Sequence, residues 1–361
     1  MNVDYTQRRF VSELIVSNLM VRNVEVPTGG SDFRTYLVRG YYSGMRTMQN
    51  SKLTVVGAGS VGTSIAYAAL IRGSARHVAL YDIATEKVEA EVLDLAHGTQ
   101  FTGASDITGG SDLSVVEGSQ VVVITAGAKQ KPGQSRTELA SVNADIISGM
   151  MPDLLAVAPD AVYVLVTNPC DVLTVLAAEA SGLPRNRIFS SGTVLDTSRL
   201  RWKLAQRVGV NTSSIHAFIV GEHGDTEFPL WSEARIGPVP ILDWETEDHP
   251  RLTVDELHHI ATDVRDAAYK VIKGKGATNN AIGLSSARII EAILQDEKAV
   301  LPVSTVLEDF HGIDGIALSV PSIVGSTGAT PIPNTPFSQE ELQLLHRSSD
   351  ALAGVLESLR N

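Results

Sequence analysis

The chain has 361 residues, enough for two ordinary domains or one large one. Hydrophobic residues make up 43% and charged residues 19%, a balance that excludes wholesale disorder. A net charge of −12 argues against a general nucleic-acid binder, and the single cysteine, Cys170, excludes an intrachain disulfide and a thiolate zinc cluster. No run approaches the ~20 apolar residues of a membrane span, so we expect a soluble protein of the reducing cytoplasm.

Residues 1–50 differ from the rest of the chain in charge. They carry six arginines and four acidic residues, whereas residues 51–361 carry 23 basic and 37 acidic residues. Glu13 interrupts the apolar patches near the start, and the four acids argue against an organelle transit peptide. We expect a poorly ordered extension, or upstream codons with Met45 or Met48 as the true start. A docking arm for a neighbouring subunit is the alternative.

The clearest pattern is a glycine turn between an apolar strand and a helix. The strand is Leu53–Val56, and the helical pattern after the turn stops at Gly73. The turn itself contains Gly57, Ala58, Gly59, Ser60, Val61 and Gly62. In such a turn the first glycine permits the tight bend, the second lets the backbone approach a pyrophosphate, and the third lets helix and strand pack closely. The N–H groups at the helix N-terminus then bind the phosphates.

An acidic residue completes this unit. A second strand, His77–Tyr81, ends in Asp82, twenty residues after Gly62. A carboxylate at this position accepts hydrogen bonds from the adenosine ribose and repels a 2′-phosphate, which favours NAD over NADP. The glycine pattern alone is weak evidence for dinucleotide binding. Together with the strand, the helix, the second strand and Asp82 it predicts that function.

Further apolar strands alternate with amphipathic helices. The strands are Gln120–Thr125 and Ala161–Val166, and the helices are Thr137–Val157 and Asp171–Ser181. This alternation predicts an α/β fold with a Rossmann-type, doubly wound parallel sheet, whose ligands lie at the carboxyl ends of the strands. The residues at those ends that we assign to the cofactor are Asp82, Thr125, Ala126, Gly127, Val166 and Asn168. Cys170, beside them, is expected to be a small buried filler.

Four polar clusters remain, at residues 127–136, 196–201, 221–225 and 275–279. A nicotinamide enzyme that reduces a 2-keto acid needs a proton donor, a carboxylate clamp, a group that polarises the ketone, and exclusion of water. The clusters contain a candidate for each of these requirements.

The candidate catalytic residues come from three of the clusters. His223, in Gly-Glu-His-Gly-Asp, is the best proton donor because imidazole titrates near neutrality. Asp196 could hold its other nitrogen, and Arg199, three residues further along one helix, could grip a substrate carboxylate. Arg136 ends a glycine-containing segment suited to a hinged lid, which would bring positive charge to the carbonyl oxygen as it expels water.

Each candidate also has a simpler interpretation. His223 is consistent with an ordinary loop residue, and Arg136 with a solvated helix start. Asp196 and Arg199 are consistent with an exposed ion pair worth ~0.5 kcal/mol. His223 with Asp225 would suit a metal, but no further His, Asp or Cys spacing completes a site, so no metal is predicted. Spacing alone supports an NAD-dependent oxidoreductase and leaves the substrate open.

Six ordered motifs make the chain similar to a known family over essentially all of residues 51–361. They are VVGAGSVG, TAGAKQKPGQSR, VTNPCDVLT, SGTVLDTSRLR, GEHGDTEFPLWS and KGATNNAIG. With these motifs the chain resembles the L-lactate/malate dehydrogenase family, and within it the bacterial-type L-lactate dehydrogenases. The resemblance implies an NAD-binding Rossmann domain at 51–190, a helix at 279–297 that returns to it, and an α+β substrate domain at 191–361.

The resemblance also implies roles for the catalytic candidates. His223 would be the acid–base and Asp196 its partner. Arg199 would clamp the substrate carboxylate, and Arg136 would be the lid arginine. The reaction implied is hydride transfer between NADH and pyruvate, giving lactate.

Residues around the reacting carbon follow from the same resemblance. Asn168 would help place the substrate hydroxyl, Thr278 would line the substrate pocket, and Ile282 would pack against the nicotinamide. In malate-specific relatives the lid position of Gln130 is an arginine that pairs with a second carboxylate. Gln130 is neutral and favours pyruvate, while its neighbours, Lys129 and Lys131, are expected to point to solvent.

Other functions stay open at this point. A malate dehydrogenase or a broader L-2-hydroxyacid dehydrogenase is the alternative within the family. An NAD-binding structural or sensing protein need not retain His223, Asp196, Arg199 and Arg136 together, and an NAD-dependent glycosidase would need a metal site.

The resemblance finally implies a regulated homotetramer. Arg201 and His216 match positions that bind fructose 1,6-bisphosphate in bacterial lactate dehydrogenases. Arg201 lies two residues beyond Arg199, about 200° around a helix, so it should face away from the substrate. The simpler interpretation is a solvated arginine and a histidine in a strand.

Overall fold

The computed structural model describes residues 50–103, 105–128 and 136–360, apart from the side chains of Arg136 and Thr137. All of these residues lie in one compact unit. The predicted N-terminal extension and most of the predicted lid, including Lys129, Gln130 and Lys131, lie outside the described residues.

Nine α-helices and fourteen β-strands occupy the described ranges. The helices are α1 Ser60–Arg72, α2 Thr85–Gly98, α3 Arg136–Val157, α4 Cys170–Ser181, α5 Val194–Val208, α6 Val254–Arg265, α7 Ala267–Lys275, α8 Asn280–Leu294 and α9 Gln339–Arg360. The strands are β1 Lys52–Val56, β2 His77–Tyr81, β3 Asp106–Gly110, β4 Val121–Ile124, β5 Val162–Leu165, β6 Ile188–Ser190, β7 Ile215–His216, β8 Ile219–Val220, β9 Phe228–Pro229, β10 Arg235–Ile236, β11 Val239–Pro240, β12 Ala299–Val306, β13 Ala317–Gly325 and β14 Gly328–Pro331. None of these helices is long and apolar enough to cross a membrane.

The largest sheet has nine strands in the order β14-β13-β12-β6-β5-β4-β1-β2-β3. Its six strands from β3 to β6 are parallel and have the order of a Rossmann fold. The predicted fold class is therefore confirmed. Strand β12 then joins β6 in the antiparallel direction at Ser304 and Ser190, and β13 and β14 extend the sheet further. Strands β12, β13 and β14, which the sequence assigns to the substrate domain, thus extend the sheet of the nucleotide-binding half.

The central strands are apolar throughout because helices cover both faces of the sheet. Every residue of β4 (Val-Val-Val-Ile) and β5 (Val-Tyr-Val-Leu) is buried. One core cluster includes residues of β1 and β2 with α1 and α8, and a second includes residues of β4 and β5 with α3 and α4. The carboxyl edge of the parallel strands is thereby held in a fixed position.

Helix α8, predicted over 279–297, packs against α1 in the nucleotide half. Arg72 on α1 donates to both oxygens of Glu291 on α8, from Nε at 2.7 Å and from Nη2 at 2.6 Å. Ser74 Oγ donates to the same carboxylate at 2.8 Å. A bidentate pair of this kind fixes both distance and orientation, so the residues that precede α8 have a defined position beside α1.

Residues 254–275 form two consecutive helices, α6 and α7, rather than one long helix. Helix α6 begins with a capping box of Thr253 and Glu256, and α6 and α7 meet at Asp266. The backbone N–H of Asp266 closes the end of α6 on Thr262. His258 and His259 on α6 are exposed.

Candidate active site

The glycine turn between β1 and α1 is shaped by close backbone contacts. A Cβ atom on Gly57, whose φ is +108°, would lie 2.7 Å from Thr125 Oγ1, and one on Gly62 would lie 1.9 Å from the Gly57 carbonyl oxygen. At Gly59, no atom of the described residues lies within 4 Å of such a Cβ. The first and third glycines are thus sterically required, and the second faces open space that suits a pyrophosphate.

Asp82, at the end of β2, is bound to this turn. Its Oδ2 accepts a hydrogen bond of 2.6 Å from the Ala58 N–H, and its Oδ1 accepts one of 2.9 Å from the Ala84 N–H. A carboxylate has about four acceptor positions, so both oxygens can still accept from ribose hydroxyls. The predicted ribose ligand therefore also holds the turn in shape.

The ends of β4 and β5 complete the same edge. Thr125 Oγ1 donates to the carbonyls of Val56 and Gly57, and the N–H of Ala126 donates to Val56. Val166, next to the end of β5, is half-buried against the core. The structure therefore brings the predicted cofactor residues of three strands to one edge of the sheet.

Asn143 on α3 was not predicted and connects two of these strand ends. Its side chain is buried, its Oδ1 accepts from the Ala128 N–H at 2.7 Å, and its Nδ2 donates to the Asn168 carbonyl at 2.8 Å. A Cβ on Gly127 would lie 3.0 Å from the same Oδ1. The only signal in the sequence is an amide in the middle of an apolar helical face.

His223, Asp196 and Arg199 form one hydrogen-bonded cluster. His223 Nδ1 donates to Asp196 Oδ2 at 2.8 Å, and Arg199 Nη1 donates to Asp196 Oδ1. The Asp196 side chain is 3% exposed, whereas Arg199 and His223 are 17% and 26% exposed. Asp196 is therefore a buried anion that orients two basic side chains, each of which stays partly exposed. This geometry replaces the interpretation of an exposed ion pair.

Local backbone contacts position this cluster. Asp196 lies in the first turn of α5, where the helix dipole favours a carboxylate. Thr197 Oγ1 accepts from the Ile219 N–H at 2.8 Å, which ties α5 to β8. Gly221, just before His223, pairs with Ser319 on β13 through two backbone hydrogen bonds of 2.9 Å. The two halves of the cluster are thus held by separate elements of the fold.

Asp171 on α4, a second unpredicted residue, binds the backbone of the loop that carries His223. It is 2% exposed, and its Oδ2 accepts a hydrogen bond of 2.7 Å from the His223 N–H. Burial raises the pKa of Asp171 to about 6. It lies in the motif VTNPCDVLT, but its contact with His223, 52 residues further along the chain, forms only on folding.

The protonation of the cluster follows from its charges. Burial disfavours the imidazolium, but the neighbouring carboxyl groups, Asp196 first and then Asp171 and Glu227, together outweigh it and raise the pKa of His223 to about 9. Burial would raise the pKa of Asp196, but His223 and Arg199 hold it below its ordinary value. At neutral pH the histidine therefore carries the proton that ketone reduction consumes. Burial raises the pKa of the Cys170 thiol, which fits its predicted role as a filler.

Glu227 adds a third titratable group, four residues after His223. Ligand atoms of Asp196, His223 and Glu227 lie within 4.8 Å of one another, a grouping that the sequence spacing did not reveal. Both oxygens of Asp196 already accept hydrogen bonds, from His223 and Arg199. These hydrogen bonds fit a cluster that holds and transfers a proton.

The other predicted residues lie on α3, α5, α8 and β7 or precede α8. Thr278 precedes α8 and Ile282 lies in its first turn, both half-buried. Arg136 begins α3, with a side chain outside the described part. Arg201 Nε donates to the Ala217 carbonyl at 3.0 Å, and His216 is exposed on β7.

The two halves of this region, a cradle for a dinucleotide and a charged histidine cluster, occur together in NAD-dependent oxidoreductases of the α/β class. Residues 51–190 match the family model described as lactate/malate dehydrogenase, NAD binding domain. Residues 193–360 match the model described as lactate/malate dehydrogenase, alpha/beta C-terminal domain. The chain therefore belongs to the lactate/malate dehydrogenase family, and the predicted NAD cofactor is confirmed.

Known proteins similar to the chain include several lactate dehydrogenases. An L-lactate dehydrogenase of Bifidobacterium animalis subsp. lactis is 50% identical over 303 residues, which is 84% of this chain and 95% of that protein. One of Kosmotoga olearia is 44% identical over 312 residues, or 85% and 96% of the two chains. The crystal structure of a minor L-lactate dehydrogenase from Enterococcus mundtii, in a ligand-bound form, has a TM-score of 0.82 at 39% identity and covers 86% of this chain and 98% of its own.

Proposed function

We propose that this protein is an L-lactate dehydrogenase that interconverts pyruvate and (S)-lactate. The observation that carries the proposal is the hydrogen-bonded cluster of His223, Asp196 and Arg199, in a chain that also has the glycine turn. The relatives named L-lactate dehydrogenase are similar to this chain over a length close to that of its described residues.

In the proposed reaction, NADH supplies a hydride to the carbonyl carbon of pyruvate. His223 donates a proton to the carbonyl oxygen, and Asp196 stabilises the imidazolium until it does so. Arg199 has further N–H groups besides the one bound to Asp196, and these would grip the substrate carboxylate. Asn168 would hold the developing hydroxyl. The products are lactate, NAD⁺ and a neutral histidine, so atoms and charge balance.

Three further residues complete the proposed pocket. Arg136 would polarise the carbonyl from the lid, whose closure excludes water. Thr278 would line the pocket, and Ile282 would pack against the nicotinamide. Both lie near α1, since Asn279 Nδ2 donates to Ser64 Oγ at 3.1 Å.

The test of this function is NADH oxidation with pyruvate, oxaloacetate and longer 2-keto acids. We expect the highest kcat/KM with pyruvate. A higher value with oxaloacetate would assign malate dehydrogenase activity, and similar values for several acids would assign a broader specificity. Binding of NADH without turnover of any substrate would leave a structural or sensing role.

We further propose that the protein forms a homotetramer in the cytoplasm, where it would serve glycolysis and fermentation. Its apolar surface supports an oligomer. Tyr67 and Ile71 on α1 and Leu284 on α8 are each more than half exposed on two helices that pack together. Apolar side chains exposed on neighbouring helices would suit a subunit contact. A single buried cysteine is consistent with a reducing compartment.

We also propose fructose 1,6-bisphosphate as an activator. The Arg201 guanidinium lies 5.1 Å from the centre of the Phe218 ring, and it contacts Ala217 rather than the substrate cluster. His216 pairs across the strands with Arg235 on β10. Arg201, His216 and Arg235 would supply the basic side chains that a bisphosphate needs.

The activator site predicts a change in pyruvate saturation. In the native enzyme, millimolar fructose 1,6-bisphosphate should lower the half-saturating pyruvate concentration by about fivefold or more, the lower end of a typical allosteric coupling. Arg201→Gln should abolish this response, whereas Arg251→Gln, at an exposed arginine paired with Glu245, should retain it. Activation that survives Arg201→Gln, or no activation of the native enzyme, would remove the site.

A further inference from the structure

Glu227 places a second carboxyl group beside the catalytic histidine. It lies immediately before β9, on the loop that carries His223. One of its carboxyl oxygens lies within 4.8 Å of ligand atoms of both His223 and Asp196. Its Oε1 is buried and has no hydrogen-bond partner among the described residues. A charged carboxylate in this position would be poorly stabilised.

The surrounding charges favour a neutral Glu227. The groups that act on it are Asp196 and Arg199 from α5, His223 from its own loop and Arg265 at the end of α6. Both nearby site cations already donate to Asp196, which is therefore the ionised carboxylate of the two. Two carboxylates that share one imidazole resist ionising together. Burial, together with repulsion from Asp196, raises the pKa of Glu227 to about 9.

We propose that Glu227 must carry a proton for the substrate to bind, and that its ionisation closes the site to anionic 2-keto acids. An ionised Glu227 would add a second negative charge where the substrate carboxylate must approach Arg199 and the carbonyl oxygen must approach His223. Its negative charge would also offset the positive charge of the His223 imidazolium, which attracts the anionic substrate. Glu227 is thus a residue that sets the alkaline limit of the enzyme without contacting the reacting atoms. This inference rests on the proposed function.

The proposal requires two protons in the active form, one on His223 and one on Glu227. Loss of either proton inactivates the enzyme. Because the two groups titrate in the same pH range, both protons are lost over that range. The logarithm of kcat/KM for pyruvate should then fall at alkaline pH with a slope steeper than −1, approaching −2. If His223 alone controlled binding, the slope would not exceed −1 in magnitude.

The decisive variant is Glu227→Gln, which keeps the shape of the side chain but cannot ionise. At saturating NADH, its alkaline slope should be no steeper than −1, whereas the native enzyme and Glu179→Gln should both show the steeper slope. Glu179 is an exposed carboxylate that pairs with Arg360 in another part of the fold, so it is a matched control for the loss of one charge. Equal slopes in the native enzyme and Glu227→Gln would overturn the proposal.

A second measurement does not depend on activity. The difference infrared spectrum of native enzyme minus Glu227→Gln, at pH 7, should contain the C=O stretch of a protonated carboxylic acid. A carboxylate band in its place would refute the protonated state, and the comparison requires only that Glu227→Gln folds, not that it turns over pyruvate. Failure of the proposed function is distinguishable from both results, because it would appear as absence of pyruvate turnover in the native enzyme while the infrared band still reports the proton.

Discussion

Replacing His223 with asparagine should lower kcat for pyruvate reduction by about 100-fold or more, the usual loss when a positioned acid is removed. Asparagine can still donate a hydrogen bond to Asp196, but it has no proton to transfer at neutral pH. The pKa of His223, raised to about 9, means that the native enzyme holds this proton throughout the neutral range. Steady-state NADH oxidation with pyruvate gives the comparison.

Two controls separate loss of chemistry from loss of structure. The His223→Asn variant should bind NADH with near-native affinity, measured by titration of nucleotide fluorescence, since the glycine turn and Asp82 are distinct from the histidine loop. His258→Asn, at an exposed histidine on α6, should keep near-native turnover. Near-normal turnover of His223→Asn would show that another group supplies the proton.

Replacing Gln130 with arginine should shift the preference from pyruvate towards oxaloacetate. Under a closed lid the new guanidinium would pair with the second carboxylate of oxaloacetate, where exclusion of water strengthens the pair. With pyruvate the same charge would be buried without a partner, at a cost of about 3–5 kcal/mol. Since about 1.4 kcal/mol corresponds to tenfold, kcat/KM for pyruvate should fall at least about 100-fold.

The ratio of kcat/KM for the two substrates measures this shift. Lys131→Arg is the matched control, because it places a guanidinium on the adjacent residue, which we expect to point to solvent. Its ratio should stay close to the native value. An unchanged ratio in Gln130→Arg would mean that this side chain does not face the substrate.

Much of the nucleotide half was predictable because its signals are local. The strands at His77–Tyr81 and around Leu53–Val56 are apolar runs bounded by turns, and the structure gives them within one residue of the predicted limits. The end of α1 at Gly73 was marked by the glycine that adopts the left-handed C-cap. Strand β6, by contrast, has only three residues, too few for any periodicity to be read.

The residues of the active site also fall into a predictable and an unpredictable group. His223, Asp196 and Arg199 were identified because their residue types and family motifs indicate their chemistry. Asp171 and Glu227 were not, because their importance depends on which atoms they meet after folding. Asp171 meets the His223 N–H across 52 residues of chain, and Glu227 comes within 4.8 Å of Asp196 on α5 only after folding. Residue spacing in a single sequence does not predict contacts of this kind.

The double role of Asp82 restricts how this enzyme could be converted to use NADP. A common strategy removes the carboxylate to admit the 2′-phosphate, yet here that carboxylate also accepts the Ala58 N–H at 2.6 Å. A replacement such as alanine would leave this N–H without its acceptor in the free enzyme and loosen the turn for either nucleotide. Serine or asparagine would keep an acceptor while removing the charge. Any successful redesign must therefore change the electrostatics of this position and preserve its hydrogen bond.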